Sequence, residues 1–154
     1  MVTFVTSFVS PQAKAWSDRQ AQAEARRGLG SDTAALRQAR QEWVRANPQP
    51  KVMLTEVADH IDHVKKVAGV DHVGIGGDFD GIDDVIVGLE DVSTYPTLFA
   101  ELSRRGWSEA DLKKLAGENV LRALKQAETV AARLKRERPP STKTIQQLDG
   151  KVTQ

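Results

Sequence analysis

The stretch Gly74-Ile75-Gly76-Gly77-Asp78-Phe79-Asp80-Gly81 is the part of this 154-residue chain best suited to chemistry. Its glycines let backbones approach closely, and two carboxylates emerge where a β-branched run ends. In parallel barrels the strand end is the catalytic face. The stretch is not a dinucleotide fingerprint, because the third glycine of G-x-G-x-x-G would fall at Phe79 and no helix starts within it. Nor is it an EF-hand loop, since Asp78, Asp80, Gly81 and Asp83-Asp84 do not reproduce the required order of ligands, glycine and distant glutamate. On spacing alone, a glycine-rich turn with acidic caps explains it as well as an active site does.

Other side chains that could bind or react are less suggestive. His60 and His63 stand three apart on one helix beside Asp59 and Asp62. A lone helix offers only two such ligands and no Glu-x-x-His or His-Glu-x-x-His pattern is present, so these histidines read as helix-packing residues. His72 reads as a hydrogen-bonded residue at a sheet edge. Arg133, Lys135, Arg136 and Arg138 lie at a helix C-terminus, where water and the helix dipole favour cations. With 22 basic and 21 acidic residues mixed along the chain, the net charge of +1 leaves no broad field for nucleic acid. The absence of cysteine excludes disulfides and thiolate zinc sites.

The elements that must position Asp78 follow from periodicity and punctuation. Val2 to Val9 is β-branched and aromatic over a strand's length, and Ser10-Pro11 then supplies a cap and a proline at the first helical position. That start reads as a buried strand and not as a signal or membrane segment, which favours a cytoplasmic chain. Gln12 to Arg27 suggests a largely solvated helix ended by Gly28-Leu29-Gly30. A second helix begins at Ser31-Asp32, carries Leu36, Trp43 and Val44, and stops at Asn47-Pro48. From Thr55, placed as a cap, to Ala68 the apolar residues recur at helical spacing. Val70 to Gly77 reads as a second, buried parallel strand, so the βαβ order favours a parallel sheet. Tyr95-Pro96 opens a helix closed by Gly106, Ser108 caps a short helix broken at Gly117, and a last helix runs from Asn119. The segment 139–154 is polar and proline-led, and is expected to be extended or poorly ordered.

Several ordered motifs resemble the membrane (renal) dipeptidase family. They are Val57-Ala58-Asp59-His60-Ile61-Asp62-His63-Val64, Ala68-Gly69, the Gly74 to Gly81 stretch, Gly88-Leu89-Glu90-Asp91-Val92-Ser93-Thr94-Tyr95-Pro96, Arg104-Arg105-Gly106-Trp107-Ser108, and Gly117-Glu118-Asn119-Val120-Leu121-Arg122. The resemblance spans about half the chain. It implies a (β/α)8 TIM-like barrel with two zinc ions that hydrolyses the peptide bond of dipeptides. The chain then resembles its C-terminal portion over 1–138, mostly helical with two short parallel strands and a helical insertion at 31–47, followed by the tail 139–154. Asp78 matches the family's catalytic aspartate, which implies that it takes a proton from the attacking water and passes it to the departing amine. Gly76 and Gly77 would leave room for the substrate backbone, while Phe79 and Asp80 would support the loop.

The family's zinc ligands are a His-x-Asp pair, a bridging glutamate and two further histidines, all upstream of the part resembled, and none has a counterpart here. The expectation is therefore a portion of a zinc dipeptidase, inactive alone, arising from a truncated gene, an internal start or a fragment. Its partners would be the missing N-terminal barrel portion and a dipeptide, with a homodimer left open. The alternative is a non-catalytic helical module that binds a protein partner or completes a split barrel, because Val2, Phe4, Val73 and Ile75 would otherwise leave apolar surface or open sheet edges.

Overall fold

The computed structural model describes residues 1–28 and 33–149. It forms two compact units, Met1–Asn119 and Val120–Gln154. The described residues are mostly helical, and the two expected strands are not present among them. A single parallel bridge, Val2 with Ile75, stands in their place, held by Val2 N–H to the Gly74 carbonyl at 2.7 Å and Gly76 N–H to the Val2 carbonyl at 2.9 Å. One rung is too short to be a strand. Thr6–Val9 turns helical instead (α1), and Val70–His72 is a 3-10 turn.

The punctuation around the helices explains most of their limits. Ser10 is extended and its hydroxyl accepts the Ala13 N–H at 3.5 Å, the long limit of such a bond, before Pro11 begins α2 (Pro11–Arg26). Helix α3 covers Thr33–Ala46, and the expected start at Ser31-Asp32 lies outside the described residues. Trp16 of α2 meets Trp43 of α3 edge to face at 5.1 Å and donates its indole N–H to the Asn47 carbonyl at 2.9 Å. Glu24 and Arg40 join the same two helices through hydrogen bonds of 2.9 and 3.1 Å.

Helix α4 (Leu54–Ala68) is not capped by Thr55. Met53 takes the cap position, and the Glu56 carboxylate accepts its N–H at 2.9 Å. The displacement has a tertiary cause. Leu54 N–H bonds to the Val87 carbonyl at 3.0 Å and Val87 N–H to the Val52 carbonyl at 2.9 Å, which pins the chain so that the cap falls before Thr55, at Met53. Helices α5 (Tyr95–Arg104) and α6 (Glu109–Lys113) follow, with Ser108 accepting the Asp111 N–H at 3.1 Å.

The core of the first unit collects Phe4, Val57, Ile61, Val73, Ile86, Leu89, Leu98, Leu102 and Leu115. Val2, Phe4 and Val73, expected to leave apolar surface, are buried within it, and Ile75 is partly buried against it. The compensation comes from helices and loops that cover what a neighbouring strand would otherwise cover. In the second unit, α7 (Asn119–Glu137) presents Val120, Leu121, Leu124 and Val130 exposed, and a short helix α8 (Ile145–Leu148) interrupts the tail expected to be extended. No helix of the described residues is long and apolar enough to cross a membrane.

Candidate active site

Asp78 stands two residues beyond Gly76, the last residue bonded into the Val2–Ile75 pairing. Its φ of 63° lies in the left-handed region, where a residue other than glycine is uncommon and aspartate is among the better tolerated. The turn closes with Gly81 N–H on the Asp78 carbonyl at 2.9 Å. A Cβ on Gly81 would lie 2.8 Å from Asp78 Oδ1, so only glycine lets the carboxylate fold over the turn. Asp78 and Asp80 are exposed to solvent.

Aromatic packing anchors this turn. Phe79 meets the fully buried Phe4 at 5.7 Å, Phe4 meets Tyr95 at 5.8 Å, and Phe79 lies 6.0 Å from Tyr95. Gly77 is buried beneath them, and a Cβ there would stand 2.8 Å from both a Phe79 ring carbon and the Tyr95 hydroxyl. A Cβ on Gly76 would meet Met1 Cε at 3.2 Å. Thus Gly76, Gly77, Asp78, Phe79 and Asp80 form one turn, with Phe79 packed inward and the carboxylates facing out. Phe4 and Tyr95 complete it. Sequence reading missed them as site residues because each is an ordinary apolar position until the chain folds.

The histidines are placed elsewhere. His63 is exposed and His60 half-buried on α4, and His72 is exposed on the 3-10 turn and not at a sheet edge. The face of α4 that does bind belongs to Asp59 and Asp62. Arg105 reaches Asp59 at 2.6 Å, Asp62 at 2.9 Å, Glu101 at 2.7 Å and the Thr55 carbonyl at 3.2 Å. Trp107 donates its indole N–H to Asp62 at 2.7 Å, and Lys65 lies 4.0 Å over the Trp107 ring. Burial opposes the charge of Arg105, but the carboxylates of Glu101, Asp62 and Asp59 more than offset it and hold the guanidinium above its ordinary pKa. Hydrogen bonds from Arg104 and then Arg105 pull the Glu101 carboxyl down to about 2. The spacing of residues 55, 59 and 62 on one helical face was the available signal. A second clamp is Asn119, whose amide donates to the carbonyls of Val70 at 2.7 Å and Val73 at 2.8 Å, fastening the segment that leads into Asp78.

Among the described residues no three His, Cys, Asp or Glu side chains converge to hold a metal ion. The geometry offers an exposed carboxylate on a turn packed against Phe4 and Tyr95.

Known proteins are similar to parts of this chain. A dipeptidase of Aspergillus terreus, ataJ, is 51% identical over 79 residues, covering 51% of this chain and 19% of that protein. Dipeptidase tcpJ of Claviceps purpurea is 40% identical over 106 residues, covering 69% of this chain and 25% of that protein. Among solved structures, the probable dipeptidase PvdM of Pseudomonas aeruginosa matches 80% of this chain and 35% of its own, with 33% identity and a TM-score of 0.59. The matched part thus spans about a fifth to a third of these relatives' length. Membrane dipeptidase (Peptidase family M19) matches residues 1–138, nearly all of what the structure describes, so this chain belongs to the membrane dipeptidase family.

Proposed function

We propose that this chain is the Asp78-bearing portion of a zinc-dependent dipeptidase barrel and that it is inactive alone. The observation that carries the reading is the Asp78 carboxylate, held by a left-handed backbone and the cradle at Gly81, within a family match over residues 1–138. Zinc is expected from the family, but the described residues do not form a site for it. Its ligands belong to the part of the relatives that this chain does not match.

The chain's own residues have a definite task. Asp78, open to solvent, accepts the proton of the water that attacks the peptide carbonyl and returns it to the departing amine. The left-handed turn fixes where that transfer occurs, and the Phe4, Phe79 and Tyr95 cluster keeps the turn from shifting. Gly76 and Gly77 leave space beside it for a substrate backbone, and Asp80 supports the turn. The substrate is a dipeptide.

The test is to purify the chain, measure bound zinc by elemental analysis, and assay a dipeptide panel with and without added zinc. Near-zero zinc and no turnover are expected, with both appearing once a polypeptide carrying the remaining barrel is co-expressed. Stoichiometric zinc with metal-dependent turnover by the chain alone sinks the proposal. The second reading, a non-catalytic module joined to another polypeptide, is favoured by the exposed Val120, Leu121, Leu124 and Val130 of α7. Light scattering tests it, because a clean monomer with little dye-accessible apolar surface argues against such an assembly.

A further inference from the structure

Thr3 sits in the short pairing that leads to the Asp78 turn. Val2 and Ile75 are partners in the parallel bridge and both turn toward the core, so by strand alternation Met1, Thr3, Gly74 and Gly76 lie on the opposite face. Met1 bears this out, because its Cβ and Cε would stand 3.5 and 3.2 Å from a Cβ on Gly76. Of these four residues only Thr3 has a polar side chain.

The Thr3 hydroxyl oxygen is sealed from solvent and has no hydrogen-bond partner among the described residues. Such a group has lost its water without gaining a replacement, which is unfavourable and rare in native proteins. A polar group reaching this face supplies the missing bond. The way in lies over Gly76, where the atoms nearest a Cβ all belong to Met1, an unbranched side chain that is 80% exposed. With Met1 aside, the glycine leaves space down to the backbone next to Thr3.

The turn decides what enters. Asp78 stands two residues beyond Gly76, and two residues of extended chain span about 6.5–7 Å. In a dipeptide the nitrogen of the cleaved bond and a carboxylate oxygen of the same residue lie roughly 3.5 Å apart, and a hydrogen bond adds about 2.8 Å, which nearly covers that span. Asp78 and Asp80 are both exposed, and two acidic side chains at the turn disfavour a third beside them, so the substrate carboxylate points away from the turn toward Thr3.

We infer that Thr3 is a further substrate-binding residue, whose hydroxyl donates a hydrogen bond to the C-terminal carboxylate of a dipeptide lying over Gly76 with its peptide bond at Asp78. The inference rests on the dipeptidase reading of Asp78. Thr3 takes no part in bond cleavage.

Thr3→Val removes the hydroxyl at nearly constant shape, and Thr3→Ser keeps it. In urea unfolding of the purified chain, Thr3→Val is expected to leave the midpoint unchanged or to raise it, because an orphaned hydroxyl holds nothing in place. A lowered midpoint reveals a partner inside the chain and overturns the inference. Binding is read by calorimetry on the chain co-expressed with the remaining barrel and stripped of zinc, with glycyl-glycine and with N-ethylglycinamide, which lacks the carboxylate. Thr3→Val is expected to weaken glycyl-glycine about tenfold and N-ethylglycinamide less than about twofold, while Thr3→Ser stays within about twofold of the unsubstituted protein. With zinc restored, Thr3→Val raises KM about tenfold at unchanged kcat. No binding, an unchanged affinity, or an equal loss for both ligands overturns the inference. Hydrolysis by Thr3→Val at an unaltered KM overturns the Thr3 assignment and leaves the dipeptidase reading intact. Thr3-dependent binding without any hydrolysis supports the Thr3 contact and removes the dipeptidase reading.

Discussion

Asp78 combines an exposed reactive group with a backbone conformation that most side chains avoid. Asparagine tolerates the same left-handed region, so Asp78→Asn is expected to preserve folding stability within about 0.5 kcal/mol. In the co-expressed enzyme the same change should lower kcat about 10²–10⁴-fold, the usual contribution of a positioned acid–base group. Thermal unfolding and steady-state kinetics on one preparation separate the two effects, and a loss of stability equal to the loss of activity contradicts the role. Gly77→Ala acts in the opposite sense. Its new Cβ would sit 2.8 Å from Phe79 and Tyr95, and the overpacking should cost about 1–3 kcal/mol in urea unfolding. That the Asp78 stretch forms a glycine-dependent turn was legible in the spacing of its glycines and acids. Its support by Phe4 and Tyr95 was not, because those residues are 75 and 16 positions away from Phe79 in sequence and meet it only after folding.

The elements around the turn are joined by polar clamps as well as by the core. Asn119 satisfies two backbone carbonyls with one amide, so Asn119→Ala strands both and should cost about 1–3 kcal/mol, measured by denaturant unfolding. Helices α4 and α5 are joined through Arg105, and this contact carries a pH signature. The Glu101 carboxyl is depressed from 4.5 to about 2, so its contribution to stability is complete above about pH 4.5 and is lost as pH falls toward 2. Glu101→Gln should therefore flatten the acid limb of a Tm-versus-pH series below pH 4.5 and leave the slope near neutrality unchanged. An identical acid limb in both proteins excludes the contribution. Helices α2, α4 and α5 were legible from capping residues and periodicity, since those signals are local. The start of α4 was not, because its register is set by hydrogen bonds to Val87, more than thirty residues downstream.

For the molecule as a whole, the core of the first unit draws on side chains from Val2 to Leu115. Deleting residues 139–154, where Ile145 and Leu148 remain exposed, should change stability by no more than about 0.5 kcal/mol, read as an unchanged denaturation midpoint. A clear drop in the midpoint contradicts that expectation. The family was determined by the sequence alone, since ordered motifs of glycine, acid and aromatic residues are chemical patterns that need no coordinates. The predominance of helix was also legible, because helical periodicity and caps act within a few residues. Only the tertiary structure decided that the two β-branched segments meet through a single bridge, that Asp59 and Asp62 hold Arg105 while the adjacent His63 stays exposed, and that Thr6 and Gln20 line the same cavity as Gly81. Each of those outcomes depends on groups distant in sequence competing for the same backbone bonds, charges and volume, and that competition is resolved only when the chain packs.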